Sequence, residues 1–191
     1  MKKIVLSVMV LALLMCGGIF LPGGAVAASA SELVLTSVGQ SPDATMVRVV
    51  LRRMKINAEN KALLRANELG GEKVLVAVVG GSSKGLGAAG IDKDQEIERV
   101  LALFEVAKQK GMKLLVMHIG GEGRRGTLSD AFIEAAAPHA DRLIVVDGGN
   151  NDKFFDRLVE GKNVKILTAL NVNGTADPLK ETLSEWGVSA Q

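Results

Sequence analysis

Polar and cationic side chains gather in short segments that directly follow runs of strand-forming residues. Several of these segments are rich in glycine, notably 80–87 and 120–126. Glycine lets main-chain N–H groups approach a ligand closely, and a lysine or arginine beside them favours carboxylates and phosphates. The pattern therefore predicts a binding site for a small anion or carboxylate, formed by Gln40, Ser41, Gly81, Ser82, Ser83, Lys84, His118, Arg124, Arg125 and Asn150.

These segments can meet only if the strands before them are parallel neighbours. Val74–Val79 is a continuous apolar run, which is typical of a parallel strand covered on both faces. Strand and helix patterns alternate to the end of the chain without a linker. We therefore predict a three-layer α/β fold with a doubly wound, mostly parallel sheet, Rossmann-like or flavodoxin-like. The expected strand order is 2-1-3-4-5, with one more strand allowed, and the ligand crevice lies outside the carboxyl ends of the strands.

Local signals place the main helix and two weaker elements. Asp92 and Gln95 have the spacing of a capping box, which predicts a helix from about Asp94 to Lys110. A short strand at 55–58 and a short helix at 61–69 are also expected. The spacing of apolar residues predicts that the buried face of the main helix consists of Ile97, Val100, Leu101 and Phe104.

Residues 1–30 have the pattern of a secretory signal peptide. Lys2 and Lys3 precede a mostly apolar stretch, and small residues follow, with Ala27 or Ala30 at the expected cleavage site. Glycine and proline interrupt the apolar stretch, which favours a cleaved signal over a retained membrane anchor. We therefore expect an exported chain, periplasmic or extracellular, in which residues 31–191 form a single α/β domain without a membrane span.

The composition narrows the range of partners. Removal of Lys2 and Lys3 takes the formal net charge from +2 to zero, so nothing in the charge favours a nucleic acid. The one cysteine, Cys16, lies inside the predicted signal, and the histidines lack the spacing of a metal site. The chain has no tyrosine and a single tryptophan, which argues against aromatic platforms for sugars or bases. We predict neither a metal nor a cofactor.

A dinucleotide-binding enzyme is one alternative to a binding module. Gly81, Gly85 and Gly87 have the spacing of the glycine loop of the short-chain dehydrogenases. In that family the loop follows the first strand, whereas here it follows a later one. The family's catalytic tyrosine also has no counterpart in a chain without tyrosine.

A serine hydrolase is the second enzymatic alternative. Gly39-Gln40-Ser41 resembles the first block of the GDSL-type esterases, with Ser41 as nucleophile, and segment 149–152 fits another block with Asn151 as an oxyanion donor. The family's basic histidine lies near the C-terminus, but no histidine follows His139 in this chain. The base would have to be His118, brought within hydrogen-bond reach of Ser41.

Most of the chain also resembles a family of small exported bacterial proteins known only as a domain of unknown function. The similar segments are SVGQSPDATMV, VVGGSSKGLGAAGID, MHIGGEGRRGTLSDAFIEAAAPHAD and LIVVDGG. The resemblance implies a signal peptide and an α/β sandwich, and it implies no activity. Because the hydrolase lacks its usual base, the sequence favours a binding module that serves a transporter or sensor over an enzyme. The esterase and an envelope interaction protein without a small ligand are the alternatives.

The signal peptide gives the first testable prediction. We expect the protein purified from its own host to begin at Ala28 or Ser31, because signal peptidase cleaves after small residues. Intact-mass spectrometry measures this directly. A mass that includes residues 1–30 would contradict cleavage.

Overall fold

The computed structural model describes residues 31–190, so the predicted signal peptide lies outside the described residues. Six strands are found there: β1 (Leu33–Val38), β2 (Glu59–Asn60), β3 (Val74–Val79), β4 (Lys113–His118), β5 (Arg142–Val146) and β6 (Lys165–Ala169). All pairs are parallel, and the order is β2-β1-β3-β4-β5-β6. The Rossmann-like α/β fold and the order of its first five strands are therefore confirmed, with β6 as the additional strand.

Helices cover both faces of this sheet. They are α1 (Asp43–Arg53), α2 (Ser83–Ala89), α3 (Lys93–Gln109), α4 (Thr127–Ala136), α5 (Phe154–Leu158) and α6 (Ala176–Glu185). One apolar core lies between the sheet and α2, α3, α4 and α5, and the other lies between the sheet and α1 and α6. Every residue of β3 is fully buried, which explains its unalternating sequence. Among residues 31–190, none of the helices is long and apolar enough to cross a membrane.

The capping box at the start of α3 is confirmed. Asp92 Oδ1 accepts from Gln95 N–H at 2.8 Å, and Gln95 Oε1 accepts from Asp92 N–H at 3.0 Å. The buried face of α3 is rotated from the predicted one, because Leu101 is 37% exposed and Leu103 is fully buried. The residues of α3 that are buried are Glu96, Val100, Leu103, Phe104 and Ala107.

Two predicted elements are not found as predicted: the short strand lies at other residues, and the short helix is mostly absent. The short strand lies at Glu59–Asn60 rather than at 55–58. In segment 61–69 only Ala66–Glu68 is helical, as one 3₁₀-turn. The carbonyls that a longer helix needs are used by other elements, since Thr36, Gln40 and Arg99 donate to the main-chain oxygens of 61, 62 and 64. These tertiary hydrogen bonds override the local helical pattern.

A row of basic residues lies at the amino ends of four neighbouring strands, at the edge of the sheet opposite the predicted crevice. Lys73 directly precedes β3, and the strands β4, β5 and β6 each begin with a basic residue. All four bases form ion pairs, which are Lys73–Glu32, Lys113–Asp141, Arg142–Glu185 and Lys165–Glu181. Such pairs near the surface contribute only about 0–1 kcal/mol each to stability.

One ion pair is deeply buried, between Glu96 and Arg99 on α3. Glu96 is fully buried, and the Arg99 side chain is 8% exposed. Arg99 Nε donates to Glu96 Oε2 at 2.8 Å, and its Nη atoms also donate to the carbonyls of Leu64 and Ser37. Glu96 Oε1 in turn accepts from Gly39 N–H at 2.9 Å. The pair therefore ties α3 to the end of β1 and to segment 61–69.

We expect Glu96→Ala to destabilise the fold by about 3–5 kcal/mol, because it leaves the Arg99 charge buried without its partner. Urea unfolding measures this change in the free energy of unfolding. Glu98→Ala is the matched control, since Glu98 lies on the exposed face of the same helix, and we expect a change below about 0.5 kcal/mol. Equal effects of the two substitutions would contradict the role of the pair.

Candidate functional site

The loops after β1 and β3 meet where the strand order reverses, which is the usual ligand position in an open α/β sheet. Gln40 and Gly81 form an antiparallel bridge there. Ser41 N–H donates to the Gly80 carbonyl at 3.2 Å, and Ser82 N–H donates to the Gly39 carbonyl at 2.9 Å. The two loops therefore form one rigid floor at the carboxyl edge of the sheet.

Two predicted ligand-binding residues have structural roles in this floor. The Gln40 amide donates to Glu96 Oε1 at 2.9 Å and to the Ala62 carbonyl at 3.1 Å. Ser82 is the N-cap of α2, and its Oγ accepts from Gly85 N–H at 3.0 Å. The glycine-rich segment, predicted as a loop, therefore turns into a short helix soon after β3.

Ser83 and Lys84 lie in the first turn of α2 and are both exposed. Within residues 31–190, Lys84 makes no side-chain hydrogen bond or ion pair. A helix as short as α2 offers little dipole for an anion. These residues lie at the rim of the crevice, and the geometry assigns them no defined partner.

The structure does not join Ser41 and His118 into a catalytic pair. His118 is fully buried, and its Nδ1 and Nε2 lie 3.2 Å from the Val79 carbonyl and 3.1 Å from the Gly121 carbonyl. Ser41 Oγ accepts from Asp43 N–H at 3.4 Å. Both ring nitrogens thus face main-chain carbonyls, and His118 links the end of β3 to the loop after β4. The arrangement does not support the esterase hypothesis.

Arg125 uses all of its donors inside the protein. Its five N–H groups donate to the Asp130 carboxylate, the Asp152 carboxylate and the Gly149 carbonyl. The guanidinium also lies 4.5 Å from the centroid of the Phe154 ring. Arg125 therefore links the loop after β4 to the loop after β5, and it leaves no donor for a ligand.

Asn150 is also a structural residue. Its Oδ1 accepts from Phe155 N–H at 2.9 Å, and its Nδ2 donates to Asp156. These bonds secure the start of α5, where main-chain N–H groups otherwise lack partners.

Arg124, unlike Arg125, does not use its side-chain donors in hydrogen bonds within the described residues. Its side chain is 40% exposed, and within residues 31–190 it makes no side-chain hydrogen bond. Its aliphatic part lies against Gly120, where an added Cβ would come within 2.0 Å of Arg124 Cγ. Its Nη2 lies 3.7 Å from Asp43 Oδ1. The guanidinium is therefore placed over the crevice with its donors unused.

Asp43 was not predicted as a site residue. It is fully buried at the first position of α1, and neither carboxylate oxygen has a hydrogen-bond partner among the described residues. An acid in the first turn of a helix is common, since it complements the helix dipole, so the sequence did not single it out. Glu96 was not predicted either, because it also lies in the first turn of its helix. It shares its helix face with Val100, Leu103 and Ala107, and an acid on an apolar face is a sequence signal that could have identified it.

Arg124 lines a depression of about 320 Å³ at the carboxyl edge of the sheet. The other lining residues are Gly81, Gly123, Arg125, Gly126, Thr127, Leu128 and Ser129. The depression contains the start of α4, which has no side-chain cap. Ser129 Oγ accepts from Gly81 N–H at 3.0 Å and so fixes α4 against the floor. A larger depression of about 580 Å³ lies beside α3, away from the strand ends.

Among residues 31–190, no three histidine, cysteine, aspartate or glutamate side chains are grouped as they are in a metal site. The buried Asp43 carboxylate lies 3.7 Å from the Arg124 guanidinium. The hydrogen-bond donors that line the depression include that guanidinium, helix N–H groups and hydroxyls. These groups can bind an anion, and they carry neither a nucleophile–base pair nor a metal-ligand set.

Fold and crevice together define a Rossmann-like α/β protein with polar loops at the strand ends. The chain belongs to the family described as a domain of unknown function (DUF6305), whose profile matches residues 30–183. This confirms the resemblance to a family without an assigned activity, while export and a bacterial source stay predictions. Searches of curated proteins and of solved structures found no match.

The ion pairs of Arg125 affect two acids. Its hydrogen bonds lower the pKa of Asp152 from the ordinary 3.8 to about 2. Burial raises the pKa of Asp130, but hydrogen bonds from the Arg125 side chain and from Gly126 N–H outweigh burial and lower it overall. Both carboxylates are therefore ionised more readily in the folded protein than in the unfolded chain.

Because the folded pKa of Asp152 is depressed, its stabilising contribution is complete above about pH 4 and is lost as the pH falls towards about 2. We expect Asp152→Asn to flatten the pH dependence of the unfolding free energy in this range. Urea unfolding at a series of pH values measures it. Asp94→Asn is the control, since Asp94 is exposed and distant in sequence. An unchanged slope in Asp152→Asn would contradict the interaction.

Proposed function

We propose that this protein is a small-molecule-binding module that holds an anionic group, a carboxylate or a phosphate, in the depression at the carboxyl edge of its sheet. The observation that carries the proposal is the Arg124 guanidinium, which lines the depression and has no hydrogen bond within the described residues. Guanidinium donors match carboxylate and phosphate oxygens in geometry and charge.

The start of α4 adds a second favourable element. A ten-residue helix carries partial positive charge at its amino end, and its first N–H groups need acceptors. Thr127 and Ser129 place hydroxyls in the same turn. An anion seated between Arg124 and this turn receives hydrogen bonds from both sides.

Two of the nearby acids, Asp130 and Asp152, do not oppose such an anion strongly. Asp130 and Asp152 both pair with Arg125, which neutralises part of their charge. Arg125 therefore supports the site indirectly, by holding the loops after β4 and β5 in place and by compensating two carboxylates next to it.

The sequence pattern at residues 1–30 supports an exported protein, periplasmic or extracellular. In that setting a binding module without catalytic groups serves a transporter or a sensor, which receives the ligand or responds to the loaded protein. Such a partner is part of the proposal.

We expect Arg124→Ala to weaken binding of propionate and of inorganic phosphate by about tenfold to a hundredfold, since a hydrogen bond to a charged group contributes about 1.5–3 kcal/mol. NMR titration suits the weak affinities of such small probes. Arg48→Ala is the matched control, because Arg48 is an exposed arginine on the outer face of α1, and it should leave binding unchanged.

Added salt should weaken binding, as it screens the charge of a partly exposed arginine. Two outcomes would overturn the proposal. One is that neither probe binds the wild-type protein. The other is that Arg124→Ala and Arg48→Ala bind the probes equally well. The first outcome would favour an interaction protein without a small ligand, and the second would show that the probes bind away from Arg124.

A further inference from the structure

The buried Asp43 carboxylate lies next to the proposed anion site and has unused hydrogen-bonding capacity. It is fully buried, and neither oxygen accepts a hydrogen bond within residues 31–190. Buried polar groups almost always have partners, and a buried charge is costly unless it is paired. The closest cation is Arg124, whose Nη2 is 3.7 Å from Asp43 Oδ1, beyond hydrogen-bond distance.

Helix capping does not explain this carboxylate. Asp43 occupies the first turn of α1, but the hydrogen bond to a side chain described at that turn runs from Asp43 N–H to Ser41 Oγ, not to the Asp43 carboxylate. The carboxylate itself points towards the end of β3, where an added Cβ on Gly80 would lie 3.0 Å from Asp43 Oδ2. Because Gly80 has no side chain, the carboxylate fits between the end of β3 and the Arg124 guanidinium that lines the depression.

A simple anion is an incomplete match for this arrangement. If Arg124 turns towards a ligand carboxylate, Asp43 loses its nearest cation and faces an additional negative charge. A ligand that brings its own cation removes this conflict. Arg124 can turn once the ligand's cation replaces it beside Asp43, because its side chain is 40% exposed and no described hydrogen bond holds its guanidinium.

We propose that the ligand is a zwitterion with adjacent anionic and cationic groups, most simply a free α-amino acid, whose carboxylate binds Arg124 and whose ammonium donates to Asp43. This inference rests on the proposed anion-binding function and names its ligand class. An ammonium suits Asp43 better than a hydroxyl does, because it supplies the hydrogen-bond donors that the buried carboxylate lacks and the positive charge that it loses when Arg124 turns away.

The test compares four small probes by NMR titration of the full processed protein: alanine, propionate, lactate and ethylamine. Propionate lacks the ammonium of alanine, lactate replaces it with a hydroxyl, and ethylamine lacks the carboxylate. We expect alanine to bind at least about tenfold more tightly than propionate or ethylamine, with lactate in between.

Asp43→Asn tests the assigned residue. It should reduce the preference for alanine over propionate to less than about threefold and leave propionate binding equal or stronger, because a negative charge is removed. A merely structural role would weaken both probes together. Asp94→Asn, which changes an exposed acid in the first turn of α3, is the control and should keep the wild-type preference.

The outcomes separate the two proposals. If propionate binds as tightly as alanine, the zwitterion inference fails while anion binding stands. If alanine is preferred and Asp43→Asn keeps that preference, the assignment of Asp43 fails. If none of these probes binds and inorganic phosphate does not bind either, both proposals fail. The comparison of the four probes on the wild-type protein needs no variant, so an Asp43→Asn protein that does not fold leaves the inference testable.

Discussion

The buried ion pair between Glu96 and Arg99 holds the candidate site together. A charge in the interior is tolerated only with a partner and with its remaining hydrogen bonds made. Here Glu96 and Arg99 are each other's partner, and main-chain groups of other elements make further hydrogen bonds to both. Through those bonds α3 fixes the end of β1, segment 61–69 and the Gln40 side chain. Gln40 in turn is bridged to Gly81, so the position of the crevice floor depends on two residues that lie on a helix outside it.

The fold was largely predictable because its signals are local or periodic. The apolar run of β3 and the capping box of α3 each depend on a few consecutive residues, and both agree with the structure. Segment 61–69 was predicted less well. Its helical pattern is real, but its carbonyls accept hydrogen bonds from Thr36, Gln40 and Arg99, which come from distant parts of the chain. Hydrogen bonds from residues distant in the sequence compete with helix formation here, and the local sequence does not reveal them.

The sequence predicted that the strand-end loops meet, but it did not predict which of their polar side chains already have partners. The topology brings the strand-end loops together, as expected, yet residue type does not reveal whether a polar group is already satisfied. Arg124 and Arg125 are neighbours of the same residue type. The donors of Arg125 are occupied by two carboxylates and a carbonyl, whereas Arg124 lies over Gly120 and makes no described side-chain hydrogen bond. Asp43 shows the converse, since an ordinary helix-start acid is a buried carboxylate that accepts no hydrogen bond from any of residues 31–190. Such differences depend on spatial neighbours that only the fold determines.

The row of basic residues at the amino ends of β3 to β6 has a consequence for the unfolded chain. The strands that follow are apolar runs of high β-propensity, and in an extended chain such runs can pair between molecules and aggregate. A charge that flanks such a run opposes that pairing, because stacked copies would bring like charges together. In the folded protein, Lys73, Lys113, Arg142 and Lys165 add little to stability as ion pairs near the surface. Before folding, the parallel strands have not yet paired with segments that are distant in the sequence. At that stage the same charges oppose pairing between molecules and so favour folding over aggregation.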